Sequence, residues 1–167
     1  PFYIDLISAL TRYRIISRQG GWRQVPPGPA LKPGMDDPRV PILRARLAAT
    51  DDWQGPFSNS TTFDSALEKA LKNFQKRHGL DEDGIVGPSS LDALNVPVES
   101  RVQQIRVNLE RARWVLRGLE SDFVVVNIAG FRTYLVIDGE IAWEARSIVG
   151  RDYRQTPIFK DNIRYLE

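Results

Sequence analysis

A single histidine and the lack of any cysteine limit the chemistry that this chain can carry out. Without cysteine there is no thiol nucleophile, no disulfide and no cysteine-bearing zinc site, and one histidine cannot form a multi-histidine site. His78 comes four residues after Phe74 and just before Gly79. We expect it to cap the last carbonyls of a helix or to place a positive charge there. Most familiar catalytic devices are therefore excluded, and we assign no catalytic residue.

An acidic run is the other group of side chains that could hold an ion. Asp81, Glu82 and Asp83 are followed by Gly84, but the ligand spacing of an EF-hand calcium loop is missing. We interpret the run as a solvated turn. No metal site and no cofactor are predicted.

Apolar residues at helical spacing predict the elements that carry these side chains. A first amphipathic helix is expected from Pro1 to Ser17 and ends before Gly20-Gly21. The prolines and glycines of the next segment, QVPPGPALKPG, predict an extended linker or a surface strap.

Two longer helices are predicted in the middle of the chain. The first runs from an N-cap at Asp37, with Pro38 as its first residue, to about Ala49. The second starts near Thr62, capped by the hydroxyl of Thr61. It stops at His78, because the glycine that follows can adopt the left-handed conformation that closes a helix.

Proline and serine mark the start of the remaining helices. Gly87-Pro88 places proline at the first position of a short helix, whose Leu91 and Leu94 turn back toward the preceding one. Ser100 and Gln103 form a capping box for a long helix that ends at Gly118. We interpret the basic side of this helix as a solvated face rather than as a surface for an anionic polymer; it carries Arg101, Arg106, Arg111, Arg113 and Arg117.

The composition changes abruptly after Asp122. DFVVVNIA, FRTYLVID and EIAWEARSIV are rich in β-branched and aromatic residues, and Asp138-Gly139 is a two-residue hairpin turn. We predict a β-meander in which one face packs on a core, followed by a loop at residues 150–157 and a further strand beginning in DNIRYLE. The predicted fold class is α+β, with a helical scaffold and a three-helix bundle followed by an incomplete antiparallel β-meander.

Charge and hydropathy argue against nucleic-acid binding and against a membrane-spanning segment. The net charge is +2 and the pI is about 9.1, but no dense basic run or nucleic-acid motif accompanies these values, so nucleic acid is not expected. No stretch of about 18 apolar residues and no targeting segment is present, so no membrane-spanning segment is predicted.

One set of turn and core residues has a characteristic spacing: Phe74-Gln75, Gly79-Leu80, Asp83-Gly84, Gly87 and Leu91. In these residues the segment from about Lys32 to Val96 resembles the small three-helix peptidoglycan-binding domain of bacterial cell-wall proteins. Ser89-Ser90 departs from the pattern, which usually has a threonine. The resemblance implies peptidoglycan as the partner and the cell envelope, in the periplasm, as the location.

A second resemblance covers the rest of the chain. NLERARWVL and then FVVVNIAGFRTYLVIDGEIAWEARSIVGRDYRQTPIF look like the entry into the catalytic domain of the large L,D-transpeptidases (YkuD-type) of Gram-negative bacteria. In that family a helical scaffold with a peptidoglycan-binding domain precedes a β-rich catalytic domain. Ala129-Gly130 departs from the pattern, which commonly has a proline. The resemblance implies a scaffold segment at residues 1–31, the binding domain at 32–97, a linker helix at 98–119 and the first catalytic strands at 120–167.

The resemblance also implies a nucleophile that this sequence does not contain. In the family a cysteine thiolate attacks the carbonyl of the third residue of a tetrapeptide, a histidine acts as base and backbone amides hold the oxyanion. Those residues lie downstream of the RQTP loop. We therefore expect this chain alone to be inactive, as the non-catalytic front portion of a crosslinking enzyme whose remaining strands would cover the open edge of the meander.

Five side chains are candidates for contact with glycan or stem peptide. Trp53 and Phe57 lie in a predicted loop rich in Gly, Pro, Ser and Asn, where aromatic faces suit sugar rings. Gln75 offers an amide for N-acetyl groups. Tyr153 and Arg154 lie in a loop at a strand end, and either substrate recognition or loop anchoring would explain them.

Two other functions fit the same sequence. The chain would serve as a stand-alone, non-catalytic module that binds or anchors to peptidoglycan if its β-hairpin were complete in itself. It would be the binding region of a cell-wall hydrolase if zinc ligands or paired acids followed.

Overall fold

The computed structural model describes residues 2–116, 120–128, 130–150, 153–157 and 159–163. Within these residues five helices precede three strands: α1 Phe2–Arg18, α2 Val40–Ala48, α3 Ser65–Arg77, α4 Pro88–Asn95, α5 Val98–Leu116, β1 Phe123–Asn127, β2 Arg132–Ile137 and β3 Glu140–Arg146. The α+β fold class is confirmed. The chain divides into two compact units, one of residues Ala9–Ile105 and the other of Pro1–Ser8 with Arg106–Glu167.

The helical unit, residues Ala9–Ile105, is built on one apolar core. Helices α2, α3 and α4 supply most of it, and two residues of the proline-rich segment, Val25 and Leu31, are as deeply buried as the helical ones. The core residues are Val25, Leu31, Val40, Leu43, Leu47, Phe63, Leu67, Ala70, Leu71, Phe74, Val86 and Leu94. The predicted strap is therefore part of this core.

Helix α3 begins later than predicted. Its first residue is Ser65, and the cap is Asp64, whose carboxylate accepts a hydrogen bond from the Leu67 amide at 2.8 Å. The predictions of Thr61 as the cap and of a start near Thr62 are wrong. Thr62 instead pairs with Asp36 in an isolated β-bridge, which holds the backbone extended up to the cap.

The predicted end of α3 is confirmed. His78 is the C-cap, and Gly79 has φ +67°, the left-handed conformation that glycine adopts without a Cβ clash. The Gly87-Pro88 prediction is also confirmed, since Gly87 caps α4 and Pro88 is its first residue. These signals act within a few residues of chain, so the sequence carries them directly.

Helices α2 and α5 also start at residues other than the predicted ones. α2 begins at Val40, because the backbone oxygen and the carboxylate of Asp37 close a turn onto Val40 and Arg39. α5 begins at Val98, where the side chain is buried, so Ser100 lies inside the helix and the predicted capping box is wrong. Its predicted end, Gly118, lies outside the described residues.

Helix α1 ends as predicted, with Gly20 and Gly21 both at positive φ. The strap that follows is fixed at two points. Leu31 forms a β-bridge with Val86, and the backbone of Val25 exchanges two hydrogen bonds with the side-chain amide of Asn95, at 2.8 and 2.9 Å.

The three strands form one antiparallel sheet in the order β1-β2-β3, which confirms the predicted meander. Asp138 and Gly139 have φ of 51° and 78°, as a two-residue hairpin turn requires. Val136 is the one fully buried residue of β2. Residues 161–163 are not in a strand; 164–167, where the predicted strand would continue, and 151–152 of the predicted loop lie outside the described residues.

Candidate functional site

The five predicted contact residues lie in different units. Trp53, Phe57 and Gln75 belong to the helical unit, whereas Tyr153 and Arg154 belong to the other.

The loop between α2 and α3 is fixed from beneath by a buried cation. Arg44 is 3% exposed, and its guanidinium donates to the backbone oxygens of Ser58, Ser60 and Thr62, at 3.3, 2.9 and 3.2 Å. It also reaches the Asp64 carboxylate at 3.3 Å. One side chain thus gives the Ser58 and Ser60 carbonyls a partner, adds a second donor to the Thr62 carbonyl beside the Asp64 amide, and gives an irregular loop a defined shape.

Trp53 anchors the start of this loop. Its indole is half-buried against the core, and the Arg44 guanidinium lies 5.3 Å from the ring centre. Gly55 packs directly on the ring, since a Cβ there would lie 2.4 Å from it. The indole nitrogen is buried and has no hydrogen-bond partner within the described residues. Most of the Trp53 surface is therefore used inside the protein.

Phe57 is the aromatic side chain that this loop presents to solvent. Its side chain is 83% exposed. Its ring is open to a ligand, while the backbone on its C-terminal side is held by Arg44. Of the three predicted contacts in the helical unit, Phe57 is the one placed to meet a ligand without any rearrangement.

Gln75 lies beneath the surface. It is 1% exposed, and its amide nitrogen lies 2.7 Å from Asp83, 3.1 Å from the Ile85 backbone oxygen and 3.1 Å from the Ser90 hydroxyl. Its side-chain oxygen accepts from the Gly84 amide at 2.9 Å. The amide that was expected to meet N-acetyl groups is therefore engaged in fixing the turn between α3 and α4.

The acidic run is this same turn. Asp83 accepts hydrogen bonds from the Ile85 amide and from Gln75, and these bonds lower the pKa of its carboxyl group. Among the described residues no group of three histidine or acidic side chains is placed to hold a metal ion.

His78 caps the end of α3 as a neutral ring. Its Nδ1 lies 2.8 Å from the Phe74 backbone oxygen, and the two rings stack with centroids 3.9 Å apart. Burial is the main cause that lowers the pKa of His78 to about 4. At neutral pH Nδ1–H therefore donates a hydrogen bond to this carbonyl, and the alternative of a positive charge at the helix end does not apply.

Arg46 of α2 is a second buried cation, and it connects the core to Trp22, which precedes α2 in the chain. Arg46 is 2% exposed and lies 3.9 Å from the ring centre of Trp22 and 5.6 Å from that of Phe74. It donates to the Leu94 oxygen at 2.6 Å, and burial lowers its pKa to about 10. The sequence prediction missed both Arg44 and Arg46; the signal was arginine within the apolar repeat of α2, next to Leu43 and Leu47.

In the other unit, the loop after β3 carries Tyr153 and Arg154, both exposed, with Tyr153 at 77%. The loop is tied by a hydrogen bond from the Gly150 amide to the Thr156 hydroxyl at 2.7 Å. Their exposure leaves both side chains accessible to a ligand.

The sheet presents an apolar face. Leu135 pairs with Val124 on one side and Trp143 on the other, and Val124 and Trp143 are 45% and 54% exposed. Apolar rows of this kind are usually covered by another layer of structure. Within the described residues no such layer covers this row.

The family described as "Putative peptidoglycan binding domain" matches residues 36–94. This range contains α2, α3, all but the last residue of α4 and the Asp36–Thr62 bridge, so the chain contains a peptidoglycan-binding domain, as its turn and core residues predicted. No curated protein matches the chain in sequence. None of the described helices is long and apolar enough to cross a membrane.

Proposed function

We propose that this chain is the peptidoglycan-binding and scaffold portion of a periplasmic L,D-transpeptidase, the type of enzyme that crosslinks peptidoglycan stem peptides. The helical unit would hold the polymer, and the strands would begin the catalytic domain. Having no cysteine, the chain supplies no thiolate and is expected to bind without catalysing.

The order of the parts carries the proposal. A peptidoglycan-binding domain at residues 36–94 is followed by the long helix α5 and then by an antiparallel meander. The same order characterises the large L,D-transpeptidases that the sequence resembles. The exposed apolar row of Val124, Leu135 and Trp143 supports it as well, because the early strands of a larger β domain would present such a face to later ones.

A contact surface on the binding domain belongs to this proposal. Phe57 would stack on a sugar ring or a stem-peptide side chain, Trp53 and Arg44 would hold the loop in place, and Gln75 would fix the neighbouring turn from inside. Tyr153 and Arg154 would meet the substrate in the catalytic unit.

The coding sequence downstream of Glu167 tests the enzymatic part. The proposal predicts a histidine and a cysteine in a Ser-His-Gly-Cys-like context, and crosslinking of tetrapeptide substrate by the longer protein but not by residues 1–167. A stop codon would favour a stand-alone anchoring module instead. Zinc ligands or paired acids in place of the cysteine would favour a wall hydrolase, and crosslinking by residues 1–167 alone would contradict the proposal.

A further inference from the structure

A cavity lies between α1 and α5, outside the range that the family matches. Its volume is about 270 Å³, and it is lined by Arg14, Ser17, Arg18, Glu99, Val102 and Gln103. All six residues belong to the helical unit. On each helix the lining residues are three or four positions apart, so each helix presents a single face to the cavity.

The two walls of the cavity are held together by described contacts. The Ser17 hydroxyl donates to the Glu99 carboxylate at 3.1 Å. Gly21 lies so close to Val98 that a Cβ would come within 2.9 Å of its side chain. The Trp22 indole donates to the Val96 oxygen at 3.1 Å. The cavity is therefore formed before any ligand arrives, which lowers the cost of binding.

The charges that line the cavity are unbalanced. Arg14 and Arg18 are one helical turn apart, and neither makes an ion pair or hydrogen bond with another of the described residues. Like charges at this spacing repel each other. Glu99 is the single acidic lining residue, so the cavity has an excess of one positive charge.

We infer that this cavity binds the carboxylates of the peptidoglycan stem peptide, an inference that rests on the proposed function. A guanidinium group matches a carboxylate with two parallel hydrogen bonds, and two such groups lie side by side here. Glu99 accepts from an amine of the same peptide and repels a dianionic phosphate. Val102 gives the peptide's methyl groups an apolar contact.

The test is calorimetric titration of the full chain with the soluble tetrapeptide stem released from Gram-negative peptidoglycan. Replacing both Arg14→Ala and Arg18→Ala is expected to weaken binding about tenfold or more, because two charge-assisted contacts are lost. Arg23→Ala with Lys32→Ala removes the same two charges at exposed positions outside the cavity, and this control is expected to bind as the wild type does. A tetrapeptide with amidated carboxyl groups is expected to bind as weakly as the double variant.

Equal affinity of the double variant and the wild type would overturn the inference, as would undiminished binding of the amidated peptide. The double variant Arg14→Lys with Arg18→Lys keeps the two charges but cannot form the paired guanidinium–carboxylate hydrogen bonds, so an affinity between those of the wild type and the double alanine variant is expected. Sedimentation with intact sacculi separates the two proposals. A chain that sediments but does not bind the tetrapeptide overturns this inference alone, and a chain that binds neither overturns the proposed function as well.

Discussion

Buried polar side chains define the shape of the binding domain at the scale of single residues. Arg44 holds the loop before α3 by donating to three backbone oxygens. Gln75 holds the turn after α3 through hydrogen bonds to two backbone groups and to the Asp83 carboxylate. In a small domain with short helices, few backbone N–H and C=O groups of the loops and turns can form hydrogen bonds with each other. These two side chains supply the missing partners.

Replacing Gln75→Met is expected to destabilise the chain by about 2–3 kcal/mol, because the Gly84 amide and other buried groups lose their partner. Urea unfolding followed by circular dichroism measures this. Gln54→Met, at an exposed position, is the control and should change stability by less than about 0.5 kcal/mol. Unchanged stability with loss of peptidoglycan binding would instead make Gln75 a direct ligand contact.

His78 predicts a pH dependence with a defined sign. Its pKa is about 4 in the folded chain against an ordinary value of 6.5, so between these values the unfolded chain binds the extra proton. Stability is therefore fully present above pH 6.5 and is lost as the pH falls toward 4. We expect a loss of about 2 kcal/mol, less than the full shift because the ring keeps some contact with water.

Urea unfolding at pH 7.5 and 4.5 checks this against His78→Phe, which retains the stacking on Phe74 but cannot titrate. The variant should lose less stability than the wild type over this interval. Three neighbouring charges also act on the pKa of His78: Arg77 and Arg101 lower it, and Asp52 raises it. The Asp37 carboxyl, with its pKa lowered to about 2, affects stability at more acidic pH. Identical pH dependence of both proteins would contradict the account.

At the scale of elements, the loop of residues 51–62 is the surface that the binding proposal uses. Phe57→Ala is expected to leave the unfolding transition unchanged, since the ring is exposed, and to weaken binding to peptidoglycan severalfold. Phe159→Ala removes an exposed ring from the other unit and serves as the control. Equal binding by wild type and Phe57→Ala would remove this residue from the site.

The strap before α2 is a structural element of the domain rather than a tether. Asn95→Ala is expected to cost about 2 kcal/mol, because it leaves the Val25 amide and carbonyl without partners. Asn59→Ala, an exposed loop position, is the control for thermal and urea unfolding. If Asn95→Ala were as stable as the wild type, the strap would not belong to the folded core.

Local signals explain which element boundaries the sequence could predict. Gly79 and Gly87-Pro88 fix backbone conformation by themselves, and both predictions were confirmed. The starts of α3 and α5 depend on a bridge to Asp36 and on the burial of Val98, contacts with residues distant in sequence. Arginine inside an apolar repeat could have been recognised as a buried cation, but its carbonyl partners could not.

At the scale of the whole molecule, the chain joins a helical unit that contains a peptidoglycan-binding domain to a unit that contains an antiparallel sheet. The sequence predicted this order of parts, because helical and strand periodicities differ and each persists over several turns or strands. It did not predict the cavity beside Arg14 and Arg18. Two helices whose contact residues Ser17 and Glu99 are 82 positions apart must pack together to form it, and the sequence pattern of neither helix indicates that packing.

Sedimentation of the full chain with purified sacculi tests the central claim, that this protein binds peptidoglycan, most directly. We expect the chain to move to the pellet with sacculi and to stay in the supernatant with chitin, which contains N-acetylglucosamine but neither the lactyl-bearing sugar nor the stem peptides. Recovery of the chain in the supernatant in both cases would contradict it.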